Sequence, residues 1–259
     1  MLYTLKAIIL MPYVISMEWL HRFHDALHYY KSKQFRATEW ALFKAYWFKN
    51  PYRMCKKYFK SKALNDEQRQ TVQTIYGETL CMTFDMIQAR MRVNAEDRIY
   101  ELGAGRFRGA FFLHAFTPAH IVGIEMNPTF VKIARDIQTK CGLDRLSIRQ
   151  ENMLDSDLSD ATLIYFYGVA FNDEASVLLI NKFAQLPAHV RILCVGFSLN
   201  EYEPADQPKF TTLETFPVFF LWGRVDIWVM SPLAPVDTIA EAEVHPLENS
   251  QNSVESDAL

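Results

Sequence analysis

Cysteines are scarce in this chain, and the few present lie far apart. The 259 residues contain four of them, with no C-x-x-C pair and no histidines paired with them at zinc-site spacing: Cys55, Cys81, Cys141 and Cys194. Neither a disulfide framework nor a zinc site is expected, and we predict no bound metal. Cysteine usage of this kind is typical of proteins in the reducing cytoplasm.

The chain also lacks an apolar run long enough to cross a membrane. Residues 7–15 are apolar but are interrupted by Pro12, and a spanning helix needs roughly 20 such residues. The same segment has no basic leader and no A-x-A-like cleavage site, so a secretory signal is not expected. We therefore predict a cytoplasmic protein.

Basic residues are absent from one end of the chain and concentrated near the other. Residues 233–259 contain no Lys or Arg and mix acids with Ser, Asn, Pro and Ala, a composition typical of disorder. Residues 21–62 contain eleven basic residues against only Asp25 and Glu39, together with many aromatics. An acidic partner, nucleic acid or a membrane surface would fit this region. A solvated helical face with the aromatics packed inward is the simpler interpretation.

Apolar residues at helical spacing predict two amphipathic helices before the Asn-Pro break at residues 50–51. They are Leu20, Phe23, Leu27 and Tyr30 in the first helix, and Trp40, Phe43 and Trp47 in the second. We predict three parts: a helical N-terminal cap over residues 1–75, a core over residues 76–232, and a disordered acidic tail over residues 233–259.

From Asp97 onward, short β-rich runs alternate with helix-length segments. The runs cover residues 98–102, 121–125, 146–150, 161–167 and 190–195, and residues 216–230 follow as a hairpin around residues 222–224. Such alternation is typical of βαβ units and a parallel sheet. We therefore predict an α/β fold with a Rossmann-like seven-stranded, mostly parallel sheet and a C-terminal antiparallel hairpin, preceded by a small helical region.

A glycine-rich turn follows the first of these strands and opens a predicted helix. Gly103, Ala104 and Gly105 let the backbone turn sharply and come close to a ligand, and a helix start offers unpaired N–H groups. At the end of the next strand, 22 residues after Gly103, Glu125 can accept both hydroxyls of a ribose. Strand, glycines, helix and carboxylate together predict a nucleotide-type ligand.

Three features favour S-adenosyl-L-methionine over a nicotinamide dinucleotide as that ligand. Glu101, two residues before the first glycine, could meet the amino-acid end of the cofactor. Asn152 and Met153 follow the third strand and could receive the adenine. An aromatic segment that includes Tyr167 follows the fourth strand, at the sheet edge where α/β proteins bind ligands. An NAD(P)-dependent oxidoreductase and a non-catalytic binding module of the same fold are the alternatives.

Methyl transfer from a sulfonium is an in-line displacement, so the protein mainly positions a nucleophile and excludes water. A lysine acceptor must be neutral, and apolar surroundings favour the neutral form. Tyr167 is the predicted catalytic residue because it would line the channel of the acceptor. Ordinary core packing is the alternative interpretation of this side chain.

In its motif order the sequence resembles class I S-adenosylmethionine-dependent methyltransferases over about residues 76–230. The Tyr-Gly-Glu-Thr run at residues 76–79 is similar to that of histone lysine methyltransferases of the telomeric-silencing-disruptor type. This resemblance implies a loop in which Tyr76, Glu78 and Thr79 cover the cofactor. N-capping of the following helix is the alternative role for Glu78 and Thr79.

A second resemblance concerns the Glu-Met-Asn-Pro run at residues 125–128 and the Gly-Arg-Val-Asp run at residues 223–226. Both are similar to mitochondrial ATP-synthase c-subunit lysine methyltransferases, and the two resemblances imply a protein lysine as acceptor, with a small molecule as the alternative. The chain departs from these patterns at three places. Tyr167 and Gly168 stand where the histone type has an Asn pair, Phe107 replaces the usual third glycine, and Asn152 replaces a common Asp.

Overall fold

The structure is a computed structural model that describes residues 16, 19–60, 78–167, 173–202, 204, 207–220 and 223–233. Its strands are β1 (Arg98–Leu102), β2 (His120–Ile124), β3 (Leu146–Arg149), β4 (Leu163–Phe166), β5 (Arg191–Val195), β6 (Phe210–Phe220) and β7 (Gly223–Pro232). They form one sheet in the order β3-β2-β1-β4-β5-β7-β6.

The first five strands pair in parallel, whereas β7 runs antiparallel to both β5 and β6. This arrangement confirms the predicted fold class, and the bounds of β1 to β5 differ from the predicted runs by at most two residues. The hairpin was placed too narrowly. β6 already begins at Phe210, and Gly223 and Arg224, predicted to lie in the turn, are the first residues of β7.

The helices are α1 (Lys33–Tyr46), α2 (Pro51–Lys60), α3 (Cys81–Arg90), α4 (Arg108–Phe116), α5 (Pro128–Cys141) and α6 (Asp173–Phe183), and residues 19–29 are also helical. A 3₁₀ turn covers Leu199–Tyr202. Tyr76, Gly77, Gly168 and the tail from residue 234 lie outside the described residues, so the predictions made for them stay predictions, as does the division into three parts.

Helix α5 shows why these bounds follow from sequence. The side chain of Asn127 accepts a hydrogen bond from the Thr129 N–H at the helix start, and Pro128 occupies the first turn, where its missing N–H has no cost. At the other end Gly142 adopts φ +62°, the left-handed conformation that closes many helices. The crossover between β2 and β3 is thereby fixed at both ends.

The central strands β1, β2, β4 and β5 are buried on both faces, as expected for parallel strands covered by helices. On one face, side chains such as Ile99, Ile121 and Leu193 form a hydrophobic core with α1, α3, α4 and α5. On the other face, alternate residues such as Tyr100 and Val122 pack with α6. The carboxyl ends of β1, β2 and β4 therefore meet at one edge between two layers of helices.

The N-terminal helices pack onto α4, but with the opposite face to the one predicted. In α1 the buried residues are Phe35, Thr38, Leu42 and Tyr46, and the Phe35 ring lies 5.4 Å from that of Phe112. Of the apolar residues predicted to face inward, only Tyr30 packs against the core, and the others are exposed: Leu20, Phe23, Leu27, Trp40, Phe43 and Trp47. The prediction failed because both faces of these helices carry apolar residues at helical spacing.

A largely buried ion cluster fastens these helices to the core. Arg108, in the first turn of α4, donates two hydrogen bonds of 2.9 Å to the Glu39 carboxylate and one of 2.8 Å to that of Asp25. The side chains of Asp25 and Glu39 are only 6% and 14% exposed. Both acidic residues of the segment 19–60 thus point inward, towards α4.

Candidate cofactor site at the glycine turn

The glycine turn lies at the carboxyl end of β1 and is fixed to the neighbouring strand. Gly103 and Gly105 have φ of +74° and +54°, in the left-handed region that residues with a Cβ avoid. The N–H groups of Gly103 and Ala104 both donate to the carbonyl oxygen of Ile124, each at 2.9 Å. The turn therefore lies directly beside the end of β2.

Glu125, one residue further on, points into this turn. Its Oε2 accepts from the Gly105 N–H at 2.9 Å, and its Oε1 accepts from the Asn127 N–H at 2.8 Å. Burial raises the pKa of this carboxyl to about 7, even though the two N–H groups act in the opposite direction. The structure thus brings together the predicted carboxylate and the predicted glycines on a parallel sheet.

Glu101 lies under the same turn and is 7% exposed. The N–H of Ala110, at the start of α4, hydrogen-bonds to its carboxylate, and a side chain at Gly109 would occupy the space of its Oε1. Its Oε2 has no hydrogen-bond partner among the described residues. The pKa of Glu101 is raised to about 8, chiefly by burial and to a smaller extent by the negative charges of Glu78 and Glu125, whereas the Ala110 N–H lowers it.

Glu78 lies at the mouth of the turn in an ion pair with Arg106, whose guanidinium contacts both of its oxygens. The same guanidinium lies 5.1 Å above the ring of Tyr46, so helix α1 also takes part in this contact. Arg106 is therefore not a solvated residue of the helix start. It connects the segment around residue 78, the glycine turn and the N-terminal helices.

Phe107 stands where a third glycine is usual, and the structure explains how it is accommodated. It adopts φ +63°, is fully buried and precedes the first residue of α4. A Cβ on Gly123 of β2 would lie 2.5 Å from the Phe107 ring. Gly123 thus leaves the space that Phe107 fills, and a glycine inside a strand is a recognisable sign of such close approach.

Thr79 contacts the neighbouring strand β4 rather than capping a helix. Its Oγ1 lies 2.5 Å from the hydroxyl of Tyr165, which is buried, and the N-cap of α3 is Leu80 without a side-chain hydrogen bond. The capping alternative for Thr79 is therefore wrong. Burial raises the pKa of Tyr165 far above its usual range, so the phenol stays protonated.

Tyr167 follows β4 and is partly buried. Its ring stacks on that of Phe220 at a centroid distance of 5.2 Å, which joins the end of β4 to the hairpin. Burial raises the pKa of its hydroxyl to about 12. The side chain combines an apolar wall with a neutral phenol, and it lies one strand away from the glycine turn.

Asn152 and Met153 lie in the turn after β3. The Asn152 Oδ1 accepts from the Leu154 N–H at 3.2 Å, which leaves its second lone pair for another donor. The terminal methyl of Met153 would lie 3.3 Å from a Cβ on Gly103, so this side chain covers the first glycine of the turn. Of the predicted site residues that the structure describes, Glu78, Glu101, Glu125 and Met153 thus surround the turn.

Two features of this site were missed from the sequence. Gly109, at the end of the glycine-rich run, leaves the space that the Glu101 carboxylate occupies, and Arg108 joins α4 to Asp25 and Glu39.

Among the described residues no group of three or more His, Cys, Asp or Glu side chains is placed to hold a metal ion. In the same part of the chain no helix is both long and apolar enough to span a bilayer.

Comparison with known proteins gives matches only among solved structures, since no family model and no curated protein matches. TrmN from Thermus thermophilus matches with a TM-score of 0.50 and 13% identity, over 61% of this chain and 50% of that chain. An RNA methyltransferase from Salinibacter ruber in complex with S-adenosyl-L-homocysteine gives a TM-score of 0.46 and 23% identity, over 62% and 98%. At these identities the likeness concerns the fold alone, a methyltransferase-like α/β fold.

Proposed function

We propose that this chain is an S-adenosyl-L-methionine-dependent methyltransferase that acts on a protein lysine side chain. The observation that carries the proposal is the buried Oε2 of Glu101, which has no hydrogen-bond partner in the part of the chain that the structure describes and lies beside a turn that also holds Glu125. A buried polar atom without a partner is costly in a folded protein. A ligand ammonium would supply a donor to this carboxyl, and its positive charge would lower the pKa of Glu101 and favour the ionised form.

The charge around the turn favours a cation over a diphosphate. Glu78, Glu101 and Glu125 lie close enough to act on one another electrostatically, and Arg106, which belongs to the turn, is already paired with Glu78. The N–H groups of residues 103–105, which a diphosphate would need, donate to Ile124 and Glu125 instead. S-adenosylmethionine carries a sulfonium and an ammonium, so these acidic surroundings favour it over a nicotinamide dinucleotide.

Each part of the cofactor has a matching group in the chain. Glu125 would accept the ribose hydroxyls, Met153 would pack on the adenine with Asn152 receiving its amine, and Glu101 would face the ammonium. Gly103, Ala104 and Gly105 would let the ligand approach the backbone. Glu78 and Thr79 would cover it, together with Tyr76. When bound, the cofactor supplies an activated methyl group on a positively charged sulfur.

The chain's own task is to present a neutral nucleophile and to exclude water. The stacked pair of Tyr167 and Phe220 provides an apolar wall, which disfavours the ammonium form of a lysine. The Tyr167 hydroxyl stays protonated and can accept a hydrogen bond from the amine, which would orient the lone pair of the nitrogen. These features, with the resemblance to lysine methyltransferases, support lysine as the acceptor.

Binding is tested by isothermal calorimetry of the full chain with S-adenosylmethionine and, separately, with NAD and NADP. We expect binding of the first ligand only. Glu125→Gln should weaken it at least about tenfold, because charged hydrogen bonds contribute roughly 1.5–3 kcal/mol each. Glu96→Gln, the same change at an exposed acid, is the matched control. Selective binding of a dinucleotide would overturn the proposal.

Transfer is tested by incubating the full chain with labelled S-adenosylmethionine and a cell lysate. We expect label in protein, recovered as methyl-lysine after hydrolysis, and lost with Glu125→Gln but kept with Glu96→Gln. Label that disappears on ribonuclease treatment, or that remains in the small-molecule fraction, would contradict the lysine acceptor. Cofactor binding without any transfer would indicate a non-catalytic module.

A further inference from the structure

The N-terminal helices expose an unusual amount of apolar surface. Among the described residues fifteen large hydrophobic side chains are exposed, and nine of them lie within residues 19–52. Trp40 and Phe43 lie in α1, Trp47 directly follows this helix, and the next residue, Phe48, is 94% exposed. Clusters of this kind mark a surface that meets another apolar phase or partner.

The exposed residues lie opposite the face that packs on the core. Trp40, Phe43 and Trp47 follow one another at helical spacing, and the buried residues of α1, such as Leu42 and Tyr46, occupy the other side. The helical segment of residues 19–29 repeats this arrangement, with Leu20, Phe23 and Leu27 exposed and Asp25 and Tyr29 buried. These outward apolar residues and the cations around them are called the outer helical surface below.

The charge of the outer helical surface has one sign. The only acids of the described residues 19–60, Asp25 and Glu39, are turned inward to Arg108. Nine cations of residues 19–58 are exposed: Arg22, Lys31, Lys33, Arg36, Lys44, Lys49, Arg53, Lys56 and Lys57. A surface that combines Trp, Phe and Leu with Lys and Arg is the composition of helices that lie in the headgroup region of a membrane. Such a surface repels a second copy of itself.

The rings of this surface are poorly suited to stacking on nucleic-acid bases. Trp40 is stacked on Phe43 at 5.4 Å, and the Lys44 ammonium lies 4.9 Å above the Trp40 ring. The Phe43 ring also meets Trp47 edge-on at 4.5 Å. Single-stranded nucleic acid binds by stacking its bases on free aromatic ring faces, and the aliphatic side chains of Leu20 and Leu27 cannot stack with a base. The composition of this surface therefore favours lipid over RNA.

We propose that the outer helical surface binds an anionic lipid bilayer, with its aromatic and leucine side chains in the headgroup region and its cations at the lipid charges. The chain would then lie on the membrane without spanning it. The inference does not depend on methyl transfer, so either proposal can fail without the other.

The test is co-sedimentation of the full chain with vesicles of phosphatidylcholine and phosphatidylserine in equal amounts, and with phosphatidylcholine alone. We expect binding to the anionic vesicles that weakens with salt. Lys44→Gln with Lys49→Gln should lower the affinity about fivefold per lysine. Lys132→Gln with Lys140→Gln, two exposed lysines of α5, should leave it unchanged.

The apolar contribution is tested with Trp47→Ser combined with Phe48→Ser. This change should lower the affinity for anionic vesicles at least about tenfold, because an inserted aromatic side chain is removed from water. The matched control is Leu178→Ser with Leu213→Ser, since these two leucines are each 53% exposed and lie outside the outer helical surface. Circular dichroism verifies that all variants are folded.

Four outcomes would overturn the proposal. The first is absence of binding to anionic vesicles. The second is equal loss of binding in the surface and control variants. The third is tighter binding of single-stranded polyuridylate with the same dependence on Trp47 and Phe48, which would make the surface a nucleic-acid site. A dimer in sedimentation that dissociates in the Trp47 and Phe48 variant would likewise assign it to a second copy of the chain.

Discussion

Replacement of Glu101 by Gln should change how the stability of the protein depends on pH. In the folded chain burial raises the pKa of Glu101 from its ordinary 4.5 to about 8, so the folded state keeps a proton that the unfolded state releases. The stabilising effect of this proton is complete below pH 4.5 and is lost as the pH rises towards 8. Because Gln does not titrate, Glu101→Gln removes this pH dependence of the unfolding free energy.

The magnitude follows from the two pKa values. At about 1.36 kcal/mol per pH unit, the difference between 4.5 and about 8 amounts to about 5 kcal/mol at full ionisation. Between pH 5 and pH 8 the wild type should therefore lose roughly 3 kcal/mol more unfolding free energy than the variant. Glu125 acts in the same direction but is present in both proteins, so the comparison removes its contribution.

The assay is urea unfolding of both proteins at pH 5, 6, 7 and 8 under reducing conditions, with Glu96→Gln as the control. A buried Gln amide without a partner lowers the unfolding free energy by an amount that does not change with pH. The result is therefore read from the slope of the unfolding free energy against pH and not from the difference between the two proteins at one pH. Parallel pH curves for wild type and Glu101→Gln would refute the reasoning, because they would mean that the folded chain keeps Glu101 ionised at neutral pH.

Three further substitutions test the packing around the site. Gly123→Ala should lower the unfolding free energy by about 1–3 kcal/mol, because the new methyl would overlap the Phe107 ring, and unchanged urea midpoints would contradict that packing. Thr79→Val should cost about 1–3 kcal/mol by leaving the buried Tyr165 hydroxyl unpaired. Adding Tyr165→Phe should restore most of this loss, and simple additivity in the double variant would argue against the bond. Arg108→Met leaves two buried acids without their cation and should cost about 3–5 kcal/mol in thermal or urea unfolding, whereas a near-neutral result would show that the cluster is solvated.

The sheet could be predicted because its signals are local. A central parallel strand is buried on both faces and therefore has an apolar sequence between polar segments, as in Leu163–Phe166. The glycine turn and Glu125 could also be recognised in the sequence as candidate site residues, because each stands at the end of a predicted strand. The structure places them side by side, although their contacts with a cofactor stay a prediction.

The orientation of the N-terminal helices could not be predicted, because periodicity gives no preference between two apolar faces. Leu42 and Tyr46 on one side and Trp40 and Phe43 on the other have similar spacing and hydrophobicity. The decision is made by long-range contacts. Arg108 lies 69 residues after Glu39 and 83 after Asp25, and no local pattern reveals such a pairing.

The cluster of Arg108, Asp25 and Glu39 makes the first helices an integral part of the core. A shortened chain that began after α2 would leave a guanidinium without its counterions and would open Phe112 and Phe116 to water. Such a fragment would keep the glycine turn, Glu101 and Glu125, yet it would lose Tyr46 beside Arg106 and the support beneath the helix that follows the turn. The structural support of the turn therefore extends well upstream of the sheet.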